Sequence, residues 1–480
     1  MLNSIYVDRE MYLDGSNFFT GMLSKTTQWP YWNDDWHNRI FVNYLNQFFM
    51  VLGIKVGVTS LKSLKYLYGF GLFFTSFFIY MYCFLVSKRA SNYIFFFLAI
   101  ANLITCVIPS NIYILNQAIT TLSLNWLLLH YIYLGADIKI NKIDFFVIFF
   151  TLLVLFRSHE SQLIWSAFIA ATYFVSFLKI SIKKTSQSIL IHKIIFIASL
   201  MHFIFNIYWK KSHPYDQATN AMFSNIQYLF NFGELSKGNT MLAMLTVFSL
   251  FTVLIIGYIH RNHKSHKFES FRSSFLIYSF FAIFYAISFY SLYYSISIFT
   301  NLSGIDPFRE FLYRFIIPFG SIFFMALATF FWLKGVSLSS LEKNMFIFSL
   351  SVGLISSSLW QIGNNINWKN FQSYTYRTLI ESKNFLVDPS EVQKNLSLHN
   401  MEYLYKYRCN WSWPVYGLAI QDEKNIKKLF LPQDGFQDWF AVSTTHPSYV
   451  KLPFVTFYNG SFFNFNSIIE KCSILGCKID

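Results

Sequence analysis

The sequence predicts a mainly α protein: a polytopic transmembrane helical bundle of about ten spans, followed by a small mixed α/β domain outside the membrane. Three observations predict it. The 480 residues are 54% hydrophobic and only 13% charged, with a mean hydropathy of +0.38, which is more apolar surface than a soluble fold of this length buries. The apolar residues fall in runs of about 20, the length that crosses a hydrocarbon core. The formal charge of +14 is gathered in short Lys and Arg clusters between those runs, as in a chain that fixes its orientation by the positive-inside bias. Spread over a soluble surface the same charge would point to nucleic acid; distributed this way it gives no nucleic-acid partner.

Taken in order, residues 1–60 form an acidic and aromatic outer loop plus an interfacial helix. Residues 1–39 lack the charged-then-apolar leader of a signal peptide. The run 40–56 carries Asn43, Asn46 and Gln47 among apolar residues, which suits a helix lying on the membrane rather than crossing it. Residues 61–361 form the transmembrane domain, with spans expected at 64–86, 92–109, 112–134, 143–156, 161–179, 188–208, 240–260, 273–298, 311–333 and 344–361. The basic loops at Lys88/Arg89, Lys139/Lys142, Lys179/Lys183/Lys184, Arg261–Arg272 and Lys334/Lys343 alternate along the chain, so they share one side, the cytoplasm. The opposite, extracytoplasmic side receives the N-terminal stretch, the loops at Arg157–Glu160, 209–239 and 301–309, and the tail. Exporting the first sixty or so residues with no leader is difficult, so a further span upstream of residue 1 is expected. Residues 362–480 alternate aromatic and polar residues between Pro and Gly turns, as in a small outer domain. There Cys409, Cys472 and Cys477 would meet an oxidising compartment, where a disulfide is an option.

Chemistry gathers in three places. Val7–Arg39 holds Asp8, Asp14, Asp34 and Asp35 beside Trp-Pro-Tyr-Trp, a carboxylate cluster at the membrane surface. Such a cluster suits a general base or a divalent cation, the one candidate cofactor. Arg157, His159 and Glu160 crowd a short loop between two apolar runs, where ionisable groups are functional candidates unless they satisfy one another. Lys211, Arg309 and Arg314 are basic groups on the outer face, against the usual bias, and suit an anionic phosphate. Glu310 and Arg314 also stand four residues apart and suit a simple helical ion pair. No phosphate-binding Gly loop, HExxH or GxSxG occurs.

The acidic stretch Asp-Arg-Glu-Met-Tyr-Leu-Asp-Gly-Ser at 8–16, the amphipathic run 40–56 and the second ionisable outer loop at 157–160 resemble the GT-C superfamily of polytopic glycosyltransferases. That resemblance implies a sugar donor carried on polyprenyl phosphate or diphosphate, and a glycan or lipid acceptor. It also implies an integral protein of the bacterial inner membrane, and a catalytic carboxylate, Asp8 or Asp14, in the first outer loop. Glu160 would serve with it as a catalytic group. His159, Arg157, Asp34 and Asp35 would line the site, with Lys211, Arg309 and Arg314 on the phosphate. Two other classes fit the composition: a flippase for lipid-linked oligosaccharide, which needs ionisable groups along a path through the spans, and a surface-polysaccharide polymerase or ligase.

Overall fold

The computed structural model describes residues 1–12, 14–26, 29, 30, 38–107, 117–179, 186–213, 316–335, 338, 340–408, 412–432 and 456–475. Within them the chain is mainly helical. It opens with α1 (Leu2–Tyr6), a 3-10 turn (Arg9–Met11) and α2 (Asp14–Met22). There follow α3 (Ile40–Lys55), α4 (Leu61–Arg89), α5 (Ile94–Asn102) with a π turn (Leu103–Val107), α6 (Gln117–Leu134), α7 (Lys142–Phe156), α8 (Gln162–Lys179) and α9 (Ser186–Ser212). Beyond the undescribed stretch come α10 (Ser321–Lys334), entered through a π turn at Ile316–Gly320, and α11 (Ser340–Glu381). The C-terminal part holds α12 (Ser390–Leu398), α13 (Trp413–Gln421), α14 (Asn466–Leu475) and one parallel pair of two-residue strands, Leu386–Val387 (β1) with Leu429–Phe430 (β2).

Local chemistry sets the ends of these helices. The Ser60 hydroxyl accepts from the Ser63 N–H to start α4, and Lys88 and Arg89 close it where the helix dipole favours cations. A capping box starts α7, with the Asn141 side chain accepting from Asp144 N–H and the Asp144 carboxylate from Asn141 N–H. Gly335, at φ 61°, ends α10 in the left-handed conformation that glycine adopts without strain.

Helices occupy the described parts of the expected segments at 40–56, 64–86, 92–109, 112–134, 143–156, 161–179, 188–208, 311–333 and 344–361, while 240–260 and 273–298 lie outside the described residues. Length is where expectation and structure part. Among the described residues two helices are long and apolar enough to cross a membrane, Leu61–Arg89 and Ile189–Ser212; Ile40–Lys55, Gln162–Phe174, Ile317–Leu333 and Phe346–Ile355 are shorter apolar helices. Among the described residues of the tail expected to mix α and β, helices predominate and one strand pair is present.

The packing has two cores. One joins α4 from Tyr80 onward to α5, α6, α7, α10 and the start of α11. Its centre is α6, every residue of which is buried. Around it the outward faces are apolar, as at Phe77, Phe78, Phe146, Phe149, Ile197 and Ile204. The buried faces carry polar residues paired to one another: the Asn102 amide donates to Ser321 and its carbonyl accepts from Trp126, and Asn125 donates to Gln162. The other core joins residues 5–23, the first half of α4, the second half of α11 and residues 385–472. The beginning and the end of the chain therefore share one interior, sealed by backbone hydrogen bonds from Lys25 N–H to Phe457 O and from Asn459 N–H to Leu23 O. At 42 residues, α11 runs about 63 Å and contributes to both cores.

Two carboxylate centres at one end of the bundle

The Arg157–Glu160 loop closes the turn from α7 to α8, and it carries a buried, multiply bonded charged group. Glu160 receives a bidentate grip from Arg39, Nε to Oε1 at 2.7 Å and Nη2 to Oε2 at 2.9 Å. Arg39 Nη1 also donates to Gln117 Oε1 at 2.7 Å, and the Gln117 amide donates on to Asn43. His159 completes the group. Its Nδ1 accepts from the Ser161 N–H at 3.2 Å, which leaves the proton of a neutral ring on Nε2, 3.3 Å from Glu160 Oε2. Arg157 takes the other side of the loop, donating from Nε to Asn38 Oδ1 at 3.1 Å and stacking over Trp209 at 4.4 Å. Glu160 and Arg39 are both buried, and a buried pair survives only with this geometry and with its remaining lone pairs and protons satisfied. A carboxylate with both oxygens held by a guanidinium is a weak base. Its chemistry suits orienting Arg39 and the loop more than taking a proton.

The second centre is built on the N-terminal segment. Asp8 stands in the left-handed conformation at φ 52°, and its carboxylate approaches Lys65 Nζ at 3.5 Å; Asp422 of the C-terminal part, also left-handed, meets the same nitrogen at 2.7 Å. Lys65 is 1% exposed. Two carboxylates from opposite ends of the chain thus converge on one buried cation of α4. The Asp8 carbonyl accepts from Trp368 Nε1 at 3.2 Å, and the Arg9 guanidinium lies over the rings of Trp368, Tyr407 and Tyr12 at 5.2, 5.5 and 5.8 Å. Glu10 is buried against Gly69, where a Cβ would lie 3.0 Å from its Oε2. Burial first, then the neighbouring charge of Asp8, pushes the Glu10 carboxyl well above the ordinary range. Asp8 is raised too, by burial, against the opposing pull of Lys65. Asp14 opens α2, half-buried, where the helix dipole favours a negative charge. Gly15 beside it has no substitute of ordinary size, because a Cβ there would run into the Glu10 carbonyl.

The two centres are level but separate. Tyr82 of α4 and Tyr131 of α6 meet at Asp144, so those helices end together. Counting back equally on each (131 − 14 = 117; 82 − 14 = 68) puts Gln117 at the height of Tyr68, next to Gly69 and Glu10. Gly69 faces Glu10 while Gly71 faces the backbone of Asn46 in α3, about 200° apart around the helix at 3.6 residues per turn. α4 therefore stands between Asp8, Glu10 and Asp14 on one side and Arg39 and Glu160 on the other.

Of the residues expected from sequence, the structure joins Arg157, His159 and Glu160 in one centre and Asp8 and Asp14 in the other. Lys211 is exposed at the end of α9, on the same end of the bundle as Trp209 and Arg157. Asp34, Asp35, Arg309 and Arg314 lie outside the described residues, as do Cys409 and Cys477, while Cys472 is buried in the N- and C-terminal core. Sequence reasoning counted Glu10 in the acidic stretch without giving it a role, and passed over Arg39, Gln117 and Lys65. The signal for Arg39 and Lys65 was present as a cation beside or inside an apolar run, which demands a partner. Among the described residues no three His, Cys, Asp or Glu side chains gather as metal ligands. Comparison with protein-family models, curated proteins and solved structures found no match for this chain.

Proposed function

We propose that this chain is an integral membrane glycosyltransferase of the GT-C kind, with about ten spans, moving a sugar from a polyprenyl-phosphate or diphosphate carrier to a glycan or lipid acceptor on the outer face. The observation that carries the reading is the pair of carboxylate centres, level with each other at one end of a bundle whose outward faces are apolar and whose paired polar groups are buried. An exterior of Phe, Ile and Leu is what a bilayer solvates and water does not, and a lipid-linked substrate presents its head group at the rim of such a bundle. The N-terminal centre supplies the base. Asp14 is the better placed of the two aspartates, because Asp8 is committed to Lys65. Asp14 takes the proton of the acceptor hydroxyl as its oxygen forms a bond to the anomeric carbon. The bond from that carbon to the carrier phosphate breaks on the opposite face, and the configuration inverts. The leaving phosphate is held by Lys211, Arg309 and Arg314, with the Arg39–Glu160 group fixing the neighbouring loop. A flippase would need ionisable groups lining a path through the bundle, and between the helix ends the sequence offers few, with His130 and His202 among them and both buried.

The test is Asp14→Asn and Asp8→Asn, singly and together, with the surface glycan of the cells and sugar transfer from a polyprenyl-phosphate donor measured in membranes. The expected outcome is loss of a sugar from the glycan and at least a hundredfold loss of transfer in the Asp14 variant, as for removal of a general base, with unchanged membrane insertion. Full transfer by the double variant would overturn the reading.

A further inference from the structure

Beside α1 a cavity of about 420 Å³ opens between α4, α5, α6 and α11. Its walls are apolar, with Phe73, Tyr80, Ile100, Leu103 and Ile119 among them. Three lining residues, Phe77, Met81 and Leu354, are also exposed on the outside of the bundle, so the cavity borders the surface that faces lipid in the membrane reading. Polar groups collect where α1 meets α11. There the Asn365 amide donates to Asn3 at 2.7 Å and Ser4 at 3.1 Å, while its carbonyl oxygen is buried without a partner. The size matches ligand sites, which are mostly apolar with a few placed polar groups. Filling an apolar space of this volume restores dispersion contacts that its walls otherwise forfeit, and most of its lining offers water no hydrogen-bond partner.

We propose that this cavity is a binding site for the acyl chain of a bilayer phospholipid, entering sideways between Phe77 and Met81 of α4 and Leu354 of α11. The proposal rests on the membrane reading, though not on glycosyl transfer. The chain supplies the missing wall contacts, and by filling the space between α4 and α11 it couples the helices that carry Lys65 and Trp368.

The experiment uses the full-length protein purified from native membranes. A phosphatidylethanolamine with a diazirine in its acyl chain should label Phe73–Tyr80 and Ile100–Leu103 several-fold above the outward-facing Phe146–Phe150. Native mass spectrometry should show one phospholipid retained through detergent washing. Ser76→Phe, which places a ring in the cavity, should reduce that retention at least tenfold. Labelling no stronger at the cavity than at Phe146–Phe150 would overturn the proposal, and that measurement needs no variant to fold. So would a polyprenyl lipid as the retained species, or a protein helix seated in the cavity. Carbonate extraction separates the two levels: protein released from the membrane defeats the membrane reading itself, whereas protein that stays embedded and keeps no phospholipid defeats this inference alone.

Discussion

The Arg39–Glu160 pair shows what one substitution costs when charge is buried. Each partner is held by more than the other, Arg39 by Gln117 and Glu160 by the His159 ring, so the pair behaves as a small network. Removing one member leaves an uncompensated buried charge, which costs about 3–5 kcal/mol, whereas replacing both with apolar residues of similar size is often close to neutral. Arg39→Met should therefore lower the thermal stability of the detergent-solubilised protein sharply. Arg39→Met combined with Glu160→Leu should recover most of it. If the double variant is as unstable as the single one, Glu160 has a partner of equal strength elsewhere. The same logic bears on Lys65, which faces Asp8 and Asp422 at once and ties the N-terminal segment and the C-terminal part to α4.

At the scale of elements, α3 and α4 pack on their small residues. A Cβ on Gly71 would fall inside contact distance of the Asn46 carbonyl, and that neighbour is backbone, which cannot rotate away. Gly71→Ala should push α3 off α4, break the 3.0 Å hydrogen bond from Thr120 to Asn46 and cost about 1–3 kcal/mol, the usual range for overpacking. Gly460→Ala, where nothing lies within 4 Å, is the matched control and should melt as the parent does. This contact also marks where the sequence stopped being legible. Hydropathy located most of the described helices within a few residues, because runs such as Leu64–Val86 are apolar over a length that only a helix uses efficiently, but it stopped the last one at 361 where α11 runs on to Glu381. It misplaced the meaning of Asn43, Asn46 and Gln47. Polar residues at helical spacing look the same whether they face water or a partner helix, and here Asn43 and Asn46 are buried against Gln117 and Thr120, 74 residues away. The candidate loop at 157–160 was visible as ions without room to hide. The partners of Arg39 were not, since they lie 78 and 121 residues off and no local pattern encodes such distances.

At the scale of the whole molecule, two independent features assign the ends of the bundle. The alternation of basic loops sets Lys88, Arg89, Lys139 and Lys142 on one side. The structure brings the same residues together: Arg89 donates to the Lys139 carbonyl at 2.6 Å and grips Asp144 at 2.7 and 2.9 Å, so the end of α4 meets the start of α7. At the opposite end Arg39, Gln117, Glu160 and Asn38 draw in the starts of α3 and α6 and the α7–α8 turn, while Asn206 adds the last turns of α9. A chain whose consecutive helices meet alternately at two ends has the connectivity that alternate-side loops demand. At 29 residues, α4 is about 43 Å long, enough to cross a hydrocarbon core of about 30 Å and project into both interfaces. With the five native cysteines replaced by Ala, Lys88→Cys and Lys211→Cys place an exposed thiol at each end. In intact cells an impermeant maleimide should label the Lys211 variant and reach the Lys88 variant only after permeabilisation. Equal labelling of both in intact cells would mean that the two ends do not face opposite compartments, and the outer-face placement of the Asp14 and Glu160 centres would fall with it.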